Sequence, residues 1–164
     1  MSRVNRGKDF EQVIRESFER VPGVSIDRLN DNTAGFKGIA GICDFIVYRE
    51  PYEYYFECKS VHSASLPFSN ITETQWTGLL EKSKIEGVFA GVICWWVDKD
   101  ITKFIPIKLL QAMKEHNMKS IRYDFTLFGK DCCTEIKGKK KRVFFDYDME
   151  EFLNDSYRYS AGSL

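Results

Sequence analysis

The sequence lacks the long apolar segments that would place a protein in a membrane or lead it out of the cell. No run approaches the ~18 consecutive apolar residues of a membrane-spanning helix. The polar, basic N-terminus has no apolar stretch behind it that would serve as a secretory signal. We therefore expect a cytosolic protein without a membrane segment, and the absence of internal repeats and low-complexity tracts argues against a repeat architecture.

The chain also has few histidines and no paired-cysteine motif. The chain has 2 histidines, His62 and His116, and its 5 cysteines show no C-x-x-C spacing. A zinc site is therefore not expected. Because the cysteines mostly lie in apolar segments, we expect them to be reduced and buried.

Neither charge sign is in excess, since 24 basic residues balance 24 acidic ones. Affinity for a polyanion would therefore have to come from local clustering of basic side chains. Apolar and aromatic residues are abundant, at 43% and 15% of 164 residues, which suits one domain with a substantial core. We expect a single domain over 1–164, with a core over about 5–110 and a C-terminal extension over 111–164.

The pattern of apolar residues in the first half predicts a helix followed by a hairpin. Residues 10–21 place their apolar side chains on one helical face. Residues 30–41 contain three glycines and predict a flexible loop. Apolar, aromatic-rich runs at about 42–48 and 53–61 then predict two strands of a hairpin.

The second half predicts more strands and helices around the same sheet. A capping-box pattern from Thr72 to Gln75 predicts a helix that runs to about residue 85. The nearly continuous apolar run 87–97 predicts a strand covered on both faces. Further predicted elements are a strand at 102–106, a short helix at 107–113, and strands over 121–127 and 143–147. This order indicates an α/β or α+β fold, a mixed central sheet flanked by helices.

Two acids and a lysine lie inside the hydrophobic hairpin. If the hairpin closes at residues 50–51, Asp44 lies directly across from Glu57. Strand alternation then places Lys59 on the same face as Glu57 and Cys58 on the opposite face. Buried, facing carboxylates repel unless a cation is present, and their hard oxygens suit Mg²⁺ or Mn²⁺. The alternative is a structural ion pair of Lys59 with one of the acids on a solvated sheet face.

These residues, taken in order, resemble a known nuclease signature. Asp44 followed by Glu57-Cys58-Lys59 is similar to the PD-(D/E)xK motif, with its first half represented by Asp44 alone. More narrowly, the chain resembles the RecU-like Holliday junction resolvases, including phage-borne members, over about residues 5–110. The segments that carry this resemblance are Asn5-Arg-Gly-Lys-x-Phe-Glu11, Gly41-x-x-Asp44-Phe, Phe56-Glu-Cys-Lys-Ser60, Leu66-Pro-Phe68 and Gln75.

The resemblance implies a restriction-endonuclease-like core and a homodimeric, magnesium-dependent endonuclease, with manganese as the other candidate ion. Such an enzyme makes paired nicks in four-way DNA junctions. By the same resemblance, Asp44, Glu57 and the main-chain carbonyl of Cys58 would be metal ligands. Lys59 would be the catalytic lysine.

The resemblance also assigns accessory residues, each with an alternative. Gln75 would lie near the metal and its water; alternatively it only completes the capping box. Glu11 would be an acid at the edge of the site; alternatively it pairs with Arg15 one helical turn on. Residues expected to contact DNA are Arg3, Arg6, Lys8 and Lys37; alternatively, the three N-terminal ones form an ordinary solvated terminus.

One segment departs from the family. The preference of the family for junctions is associated with a long basic stalk. In this chain the corresponding segment, residues 28–41, is predicted to be a short loop whose positive residues are Arg28 and Lys37. Two alternatives therefore stay open: a repair or restriction-type nuclease acting on duplex DNA, and a non-catalytic DNA-binding protein that keeps the fold.

Three other features have a functional and a structural interpretation. The basic run 137–142 would grip duplex arms or cap a hairpin turn. His62 would act as a base or be a polar surface residue, and the surface role is favoured. Trp95 and Trp96 would stack on bases or pack in the core, and their buried strand favours the core.

Overall fold

The computed structural model describes residues 6–29 and 41–160, with side chains up to residue 155 in the last helix. The described helices are α1 (Arg6–Glu19), α2 (Glu73–Ser83), α3 (Ile107–Glu115) and α4 (Met149–Ser160). The described strands are β1 (Ser25–Arg28), β2 (Phe45–Arg49), β3 (Tyr52–Val61), β4 (Ser65–Pro67), β5 (Val88–Trp96), β6 (Ile101–Pro106), β7 (Ser120–Arg122), β8 (Thr134–Glu135), β9 (Gly138–Lys140) and β10 (Phe145–Tyr147). None of these helices has the length and apolar character needed to cross a bilayer.

A six-stranded mixed sheet forms the centre of the fold, in the order β1-β2-β3-β5-β6-β8. Strands β2 and β3 are an antiparallel hairpin, and β5 lies parallel to β3 after the crossover through α2. The outer strands β1, β6 and β8 each pair antiparallel with their neighbours. Two small sheets, β4-β7 and β9-β10, complete the described strands.

The sheet separates two hydrophobic clusters. On one side α2 and α3 cover the sheet with residues such as Leu79 and Leu110, both fully buried. On the other side α1 and α4 contribute Phe18 and Phe152, which pack on Phe56 of β3 at ring-centroid distances of 5.5 and 5.9 Å. The result is a mixed α/β fold in three layers, with β3 at its middle.

Most of the predicted elements are confirmed. The hairpin has the predicted register, because Phe45 pairs with Phe56 and Arg49 with Tyr52. The helix predicted over 10–21 and the capping-box helix are also present as α1 and α2, as are the central buried strand and the strand and helix that follow it. Trp95 of that strand is 1% exposed, as is its neighbour Trp96, so the core interpretation is confirmed for both.

Other predictions need correction. The run 121–127, predicted as one strand, pairs only over 120–122 before it turns away, although its alternation continues. The sequence does not predict strand β1, because three of its four residues are polar and exposed and only Ile26 is apolar. The sequence does not predict helix α4 either, and this helix extends from Met149 to Ser160. The predicted loop at 30–41 lies outside the described residues except for Gly41.

The cysteines follow the prediction closely. None forms a disulfide within the described part of the chain, and four of them are buried while Cys132 is partly exposed. Burial raises the pKa of the Cys43 thiol to about 12, so this thiol stays protonated and behaves as a small apolar side chain.

Candidate active site

The hairpin places Asp44 against the backbone of β3, one residue before β2 begins. The Asp44 main-chain N–H donates to the Phe56 carbonyl at 3.0 Å. Its carboxylate Oδ2 accepts from the Cys58 N–H at 2.7 Å. Since main-chain groups of alternate strand residues point to the same side, the Cys58 carbonyl faces the Asp44 side as well. Two potential oxygen ligands for a metal therefore lie close together where β2 begins.

Glu57 is the buried member of the acid pair, at 4% exposure. Its Oε1 accepts from Lys59 Nζ at 2.7 Å and from Gln75 Nε2 at 2.9 Å. An ion pair of Glu57 with Lys59 is thus present, as the structural alternative in the sequence analysis predicts. It lies in a buried position and not on a solvated face.

Gln75 combines the two roles that the sequence left open. The amide oxygen of Gln75 accepts from the Thr72 N–H at 3.0 Å, and Thr72 Oγ1 accepts from the Gln75 N–H at 3.2 Å, which forms the capping box. Because the amide oxygen is held by the cap, the amide nitrogen is oriented toward Glu57. The start of α2 therefore fixes a side-chain donor on the buried acid.

A close approach holds α2 over the hairpin. A Cβ atom built at Gly78 would lie 2.3 Å from Cγ2 of Ile42, far inside van der Waals contact. Glycine is therefore required where the helix crosses the segment that leads into Asp44. This contact sets the height of Gln75 above Glu57.

The two acids are electrostatically linked. Burial and the neighbouring Glu57 raise the pKa of Asp44 to about 7. Burial also raises the pKa of Glu57, an effect that the charge of Lys59 opposes. Because like charges repel, ionisation of either carboxyl group disfavours ionisation of the other. The pair is thus short of positive charge when both groups ionise.

The donor set fits a hard divalent cation beside the two carboxylates. The ligands available are the carboxylates of Asp44 and Glu57 and the main-chain carbonyl of Cys58, all oxygens of the kind that Mg²⁺ and Mn²⁺ take. In the described part of the chain, no group of three or more His, Cys, Asp or Glu side chains is arranged to hold a metal. A cation here would therefore complete its coordination with groups from outside the chain.

Glu11 of α1 lies at the edge of this group. Its charge contributes to the raised pKa of Glu57 and of the Cys58 thiol. One of its carboxylate oxygens accepts from Arg28 of β1 at 3.2 Å, whereas Arg15 pairs with Glu19 at 2.9 Å. The first helix thus places a third carboxylate near the pair, with an arginine beside it.

The start of α1 is tied to the end of β3 through a histidine. Arg6 Nη1 lies 3.2 Å from His62 Nε2, and His62 Nδ1 lies 2.9 Å from Asp98 Oδ1. Because a guanidinium only donates, Nε2 accepts and Nδ1 carries the proton that is donated to Asp98. Both ring nitrogens are engaged, which disfavours the role of His62 as a base.

The structure describes only some of the other residues predicted to contact DNA. Lys8 is exposed on α1, while Arg3 and Lys37 lie outside the described residues. The basic run forms β9 and the turn after it, so the structural interpretation, a capped hairpin, is present. Its lysines are partly neutralised: Lys137 lies 3.5 Å from Glu151, Lys141 lies 3.7 Å from Asp146, and Lys140 pairs with Asp100.

Sequence reasoning missed one charged residue in line with the site. The register of the sheet places Lys59, Cys94 and Lys103 at one level on three consecutive strands. Lys103 is 8% exposed and its Nζ donates to Asp131 Oδ2 at 2.5 Å. The sequence feature that could have indicated this residue is a lysine within an apolar strand, the same feature that distinguishes Lys59.

Comparisons with known proteins give a limited result. No family model matches the sequence, and no curated protein matches it. Among solved structures the fold is similar to that of Hjc from Archaeoglobus fulgidus, a Holliday junction resolvase from an archaeal hyperthermophile. The sequences are 18% identical, the match covers 63% of this chain and 74% of the other, and the TM-score is 0.46. A score this low at this identity establishes neither family nor function.

Proposed function

We propose that this protein is a divalent-metal-dependent DNA endonuclease with Asp44, Glu57 and Lys59 at its active centre. The observation that carries the proposal is the pair of facing carboxyl groups at the start of the hairpin, with a lysine and an amide both donating to the buried Glu57. A purely structural pair would not need two acids placed against each other in the sheet.

The metal ligands in this proposal are Asp44, Glu57 and the carbonyl of Cys58. Bound Mg²⁺ or Mn²⁺ would supply Lewis-acid polarisation of the phosphodiester. The rigid strand pair β2-β3 holds the ligands more accurately than a loop would. Glu11 adds negative charge at the edge of the site.

Lys59 has further hydrogen-bond donors that can contact a substrate. An ammonium group carries three N–H donors, so Lys59 can keep its contact with Glu57 while it donates to a phosphate oxygen or orients an attacking water. Gln75 likewise has a second amide hydrogen beyond the one that is donated to Glu57. Arg6 and Lys8, with Arg3 and Lys37, would contact phosphates along the bound strand.

The substrate we propose is branched DNA, four-way junctions first among them, cut by paired nicks from a homodimer. This part of the proposal follows from the order of the motifs from Asn5 to Gln75. Other PD-(D/E)xK nucleases act on linear duplex, and this activity is the second candidate because the segment 28–41 is too short for the basic stalk of the junction-specific family.

The decisive experiment compares cleavage of a labelled four-way junction with cleavage of linear duplex of the same sequences, in Mg²⁺ and in EDTA. We expect nicks placed symmetrically about the branch point, dependent on Mg²⁺ and lost in Asp44→Asn. Equal cutting of both substrates would assign the general nuclease. DNA binding without cleavage in either Mg²⁺ or Mn²⁺ would leave only the non-catalytic DNA-binding protein.

Metal binding can be measured without cleavage. We expect Mg²⁺ to raise the melting temperature of the wild-type protein and to have little effect on Asp44→Asn, because a ligand that binds only the folded state stabilises it. Asp124→Asn, which changes an exposed acid paired with Arg122, is the matched control and should respond like wild type. An equal response of all three proteins would contradict the proposed site.

A further inference from the structure

The turn after β7 carries an exposed aromatic ring that the proposed active site does not use. Phe128 is 96% exposed, the most exposed large apolar side chain in the described residues. It follows the alternating run 121–127, whose continuation beyond β7 forms no further strand within that run. Its neighbour Leu127 is 42% exposed.

The turn holds this ring in an unfavourable but fixed position. Leu127 and Lys130 exchange two backbone hydrogen bonds, of 2.8 and 3.0 Å, which close a tight two-residue turn. Both central residues have positive φ, 51° at Phe128 and 75° at Gly129, as in a type I′ turn. Asn or Gly is usual at the first of these positions, and a bulky side chain there is strained. A strained, solvated phenylalanine suggests a function for the ring.

The base of the turn is fastened to the fold on both sides. Before the turn, Phe125 packs against the core that α2 and α3 cover, and Tyr123 donates its N–H to the Ala64 carbonyl at 3.1 Å, just past the end of β3. After it, Asp131 accepts from the buried Lys103 and from the N–H of Cys133. The ring is therefore presented by an anchored segment.

This anchoring places the turn within reach of a substrate bound at the acid pair. Lys103 lies two strands from Lys59 at the same level of the sheet, roughly 10 Å away at the usual strand spacing. From Asp131 to Phe128 the chain spans at most about 10 Å more. Apart from the side-chain link between Lys103 and Asp131, these two stretches span about 20 Å, which corresponds to about six nucleotide steps along one strand.

Basic side chains accompany the aromatic ones along this path. Lys99 Nζ lies 5.3 Å from the centroid of the Tyr123 ring, and the Arg122 guanidinium lies 5.6 Å from it. Lys130 is exposed beside Phe128. Aromatic rings alternating with cations suit a nucleic acid, because the cations contact phosphates while a ring stacks on a base.

We infer that the turn formed by Leu127, Phe128, Gly129 and Lys130 is a DNA-binding element in which the Phe128 ring stacks on a base unstacked at the branch point. The inference rests on the proposed function and specifies its substrate as DNA with an accessible base. A fully paired linear duplex offers such a base only after a base step is opened, whereas a branch point interrupts the stack. This element would give a preference for branched DNA without a stalk.

A second copy of the chain is the other conceivable partner for an exposed ring. One ring and part of Leu127 on the tip of a two-residue turn present far less area than the roughly 800 Å² per partner of a stable interface. The flanking cations also favour a polyanion. We therefore assign the ring to DNA and leave self-association as an outcome of the test.

The test removes the ring without disturbing the turn. Phe128→Asn suits the positive φ, since Asn-Gly is a preferred type I′ pair, and Phe128→Trp keeps an aromatic ring. Each is combined with Asp44→Asn to prevent cutting, and binding is measured to a four-way junction with 2-aminopurine at the branch point. With Phe128 we expect the fluorescence to change on binding as the base leaves its neighbours and stacks on the ring. Phe128→Asn should abolish this change and weaken binding about ten-fold, the loss of one stacked base, while Phe128→Trp, which also stacks, retains the affinity.

Tyr48→Thr, which removes a half-exposed ring from β2, is the matched control and should bind like the parent protein. If Phe128→Asn leaves both the fluorescence and the affinity unchanged, the inference is wrong. If it instead dissociates a dimer in sedimentation experiments without changing the fluorescence per bound protein, the ring belongs to a protein interface. Failure of the proposed function is separate: wild type would then cut no DNA in Mg²⁺, whatever the fluorescence shows.

Discussion

At the scale of single residues, the cost of the acid pair is set by burial. Asp44 and Glu57 oppose each other across two strands, and the sheet leaves Glu57 almost no contact with solvent. The pKa of Asp44 rises to about 7 because burial disfavours its charged form, and because the neighbouring Glu57 adds a like charge. The same arrangement that we propose for metal binding thus destabilises the metal-free protein at neutral pH.

This gives a prediction for stability against pH. Folded Asp44 has a pKa of about 7, whereas the ordinary pKa of an aspartate in an unfolded chain is 3.8. The folded state therefore binds more protons between these values, and stability in EDTA should fall as the pH rises through this window. Asp44→Asn should remove much of the fall and, at pH 8, be more stable than wild type, by on the order of 2–4 kcal/mol. Urea unfolding in EDTA at pH 5 and pH 8 measures the difference. Asp124→Asn serves as the exposed control, and a wild-type stability that rises from pH 5 to pH 8 would contradict the linkage.

Lys59 is predicted to act on the rate more than on the fold. Lys59→Met keeps the length of the side chain but removes the cation, and we expect cleavage to fall about 10²–10³-fold, as for loss of one transition-state donor. Single-turnover cleavage at saturating Mg²⁺ measures this effect. Lys84→Met, on an exposed pair with Glu81, should cut at the wild-type rate. A Lys59→Met protein that cuts normally would remove the lysine from the mechanism.

At the scale of elements, α2 connects the core to the site. The helix starts with the capping box that orients Gln75, and it lies close to the hairpin because position 78 is glycine. Its orientation therefore controls the hydrogen bond from Gln75 to Glu57. A small change on the buried side of α2 should affect the active site as well as stability.

Gly78→Ala tests this relation. Alanine is the better helix former by about 1 kcal/mol, so propensity alone predicts stabilisation. The new methyl group would overlap Ile42, and we expect a net loss of about 1–3 kcal/mol together with slower cleavage as Gln75 moves. Denaturant unfolding and the cleavage assay report the two effects. Thr77→Ala, at the preceding, exposed position of the same helix, should be neutral or slightly stabilising. A stabilised Gly78→Ala protein would instead show that the helix is free to shift.

At the scale of the whole molecule, the C-terminal segment completes the core. Phe152 of α4 is 1% exposed and contacts Phe18, Phe56 and Phe104, which belong to α1, β3 and β6. Because these rings join the beginning, middle and end of the chain, we expect the chain to unfold as a single domain.

Phe152→Ala should reduce the free energy of unfolding by about 3–5 kcal/mol, the usual cost of removing a buried aromatic side chain. Fluorescence and circular dichroism should still report one coincident transition for the wild-type protein. Asn154→Ala, exposed on the same helix, should change stability little. Two separate transitions in the wild type would divide the chain into independent units.

The local sequence determined much of this architecture. Alternation, caps and turn residues predicted the β2-β3 hairpin with its register, the helices α1 and α2 and the buried strand β5, because each pattern is complete within a few neighbouring residues. That register alone was enough to place Asp44 opposite Glu57. Strand alternation likewise predicted that Lys59 shares the face of Glu57.

The tertiary structure decided the features that depend on residues far apart in the chain. Strand β1 has too little apolar character to be recognised, and it forms because β2 offers an edge to pair with. The contacts of Gln75 with Glu57, of His62 with Arg6 and of Lys103 with Asp131 join segments whose separation no local pattern encodes. Burial, and with it the raised pKa of Asp44, likewise exists only once helices cover both faces of the sheet.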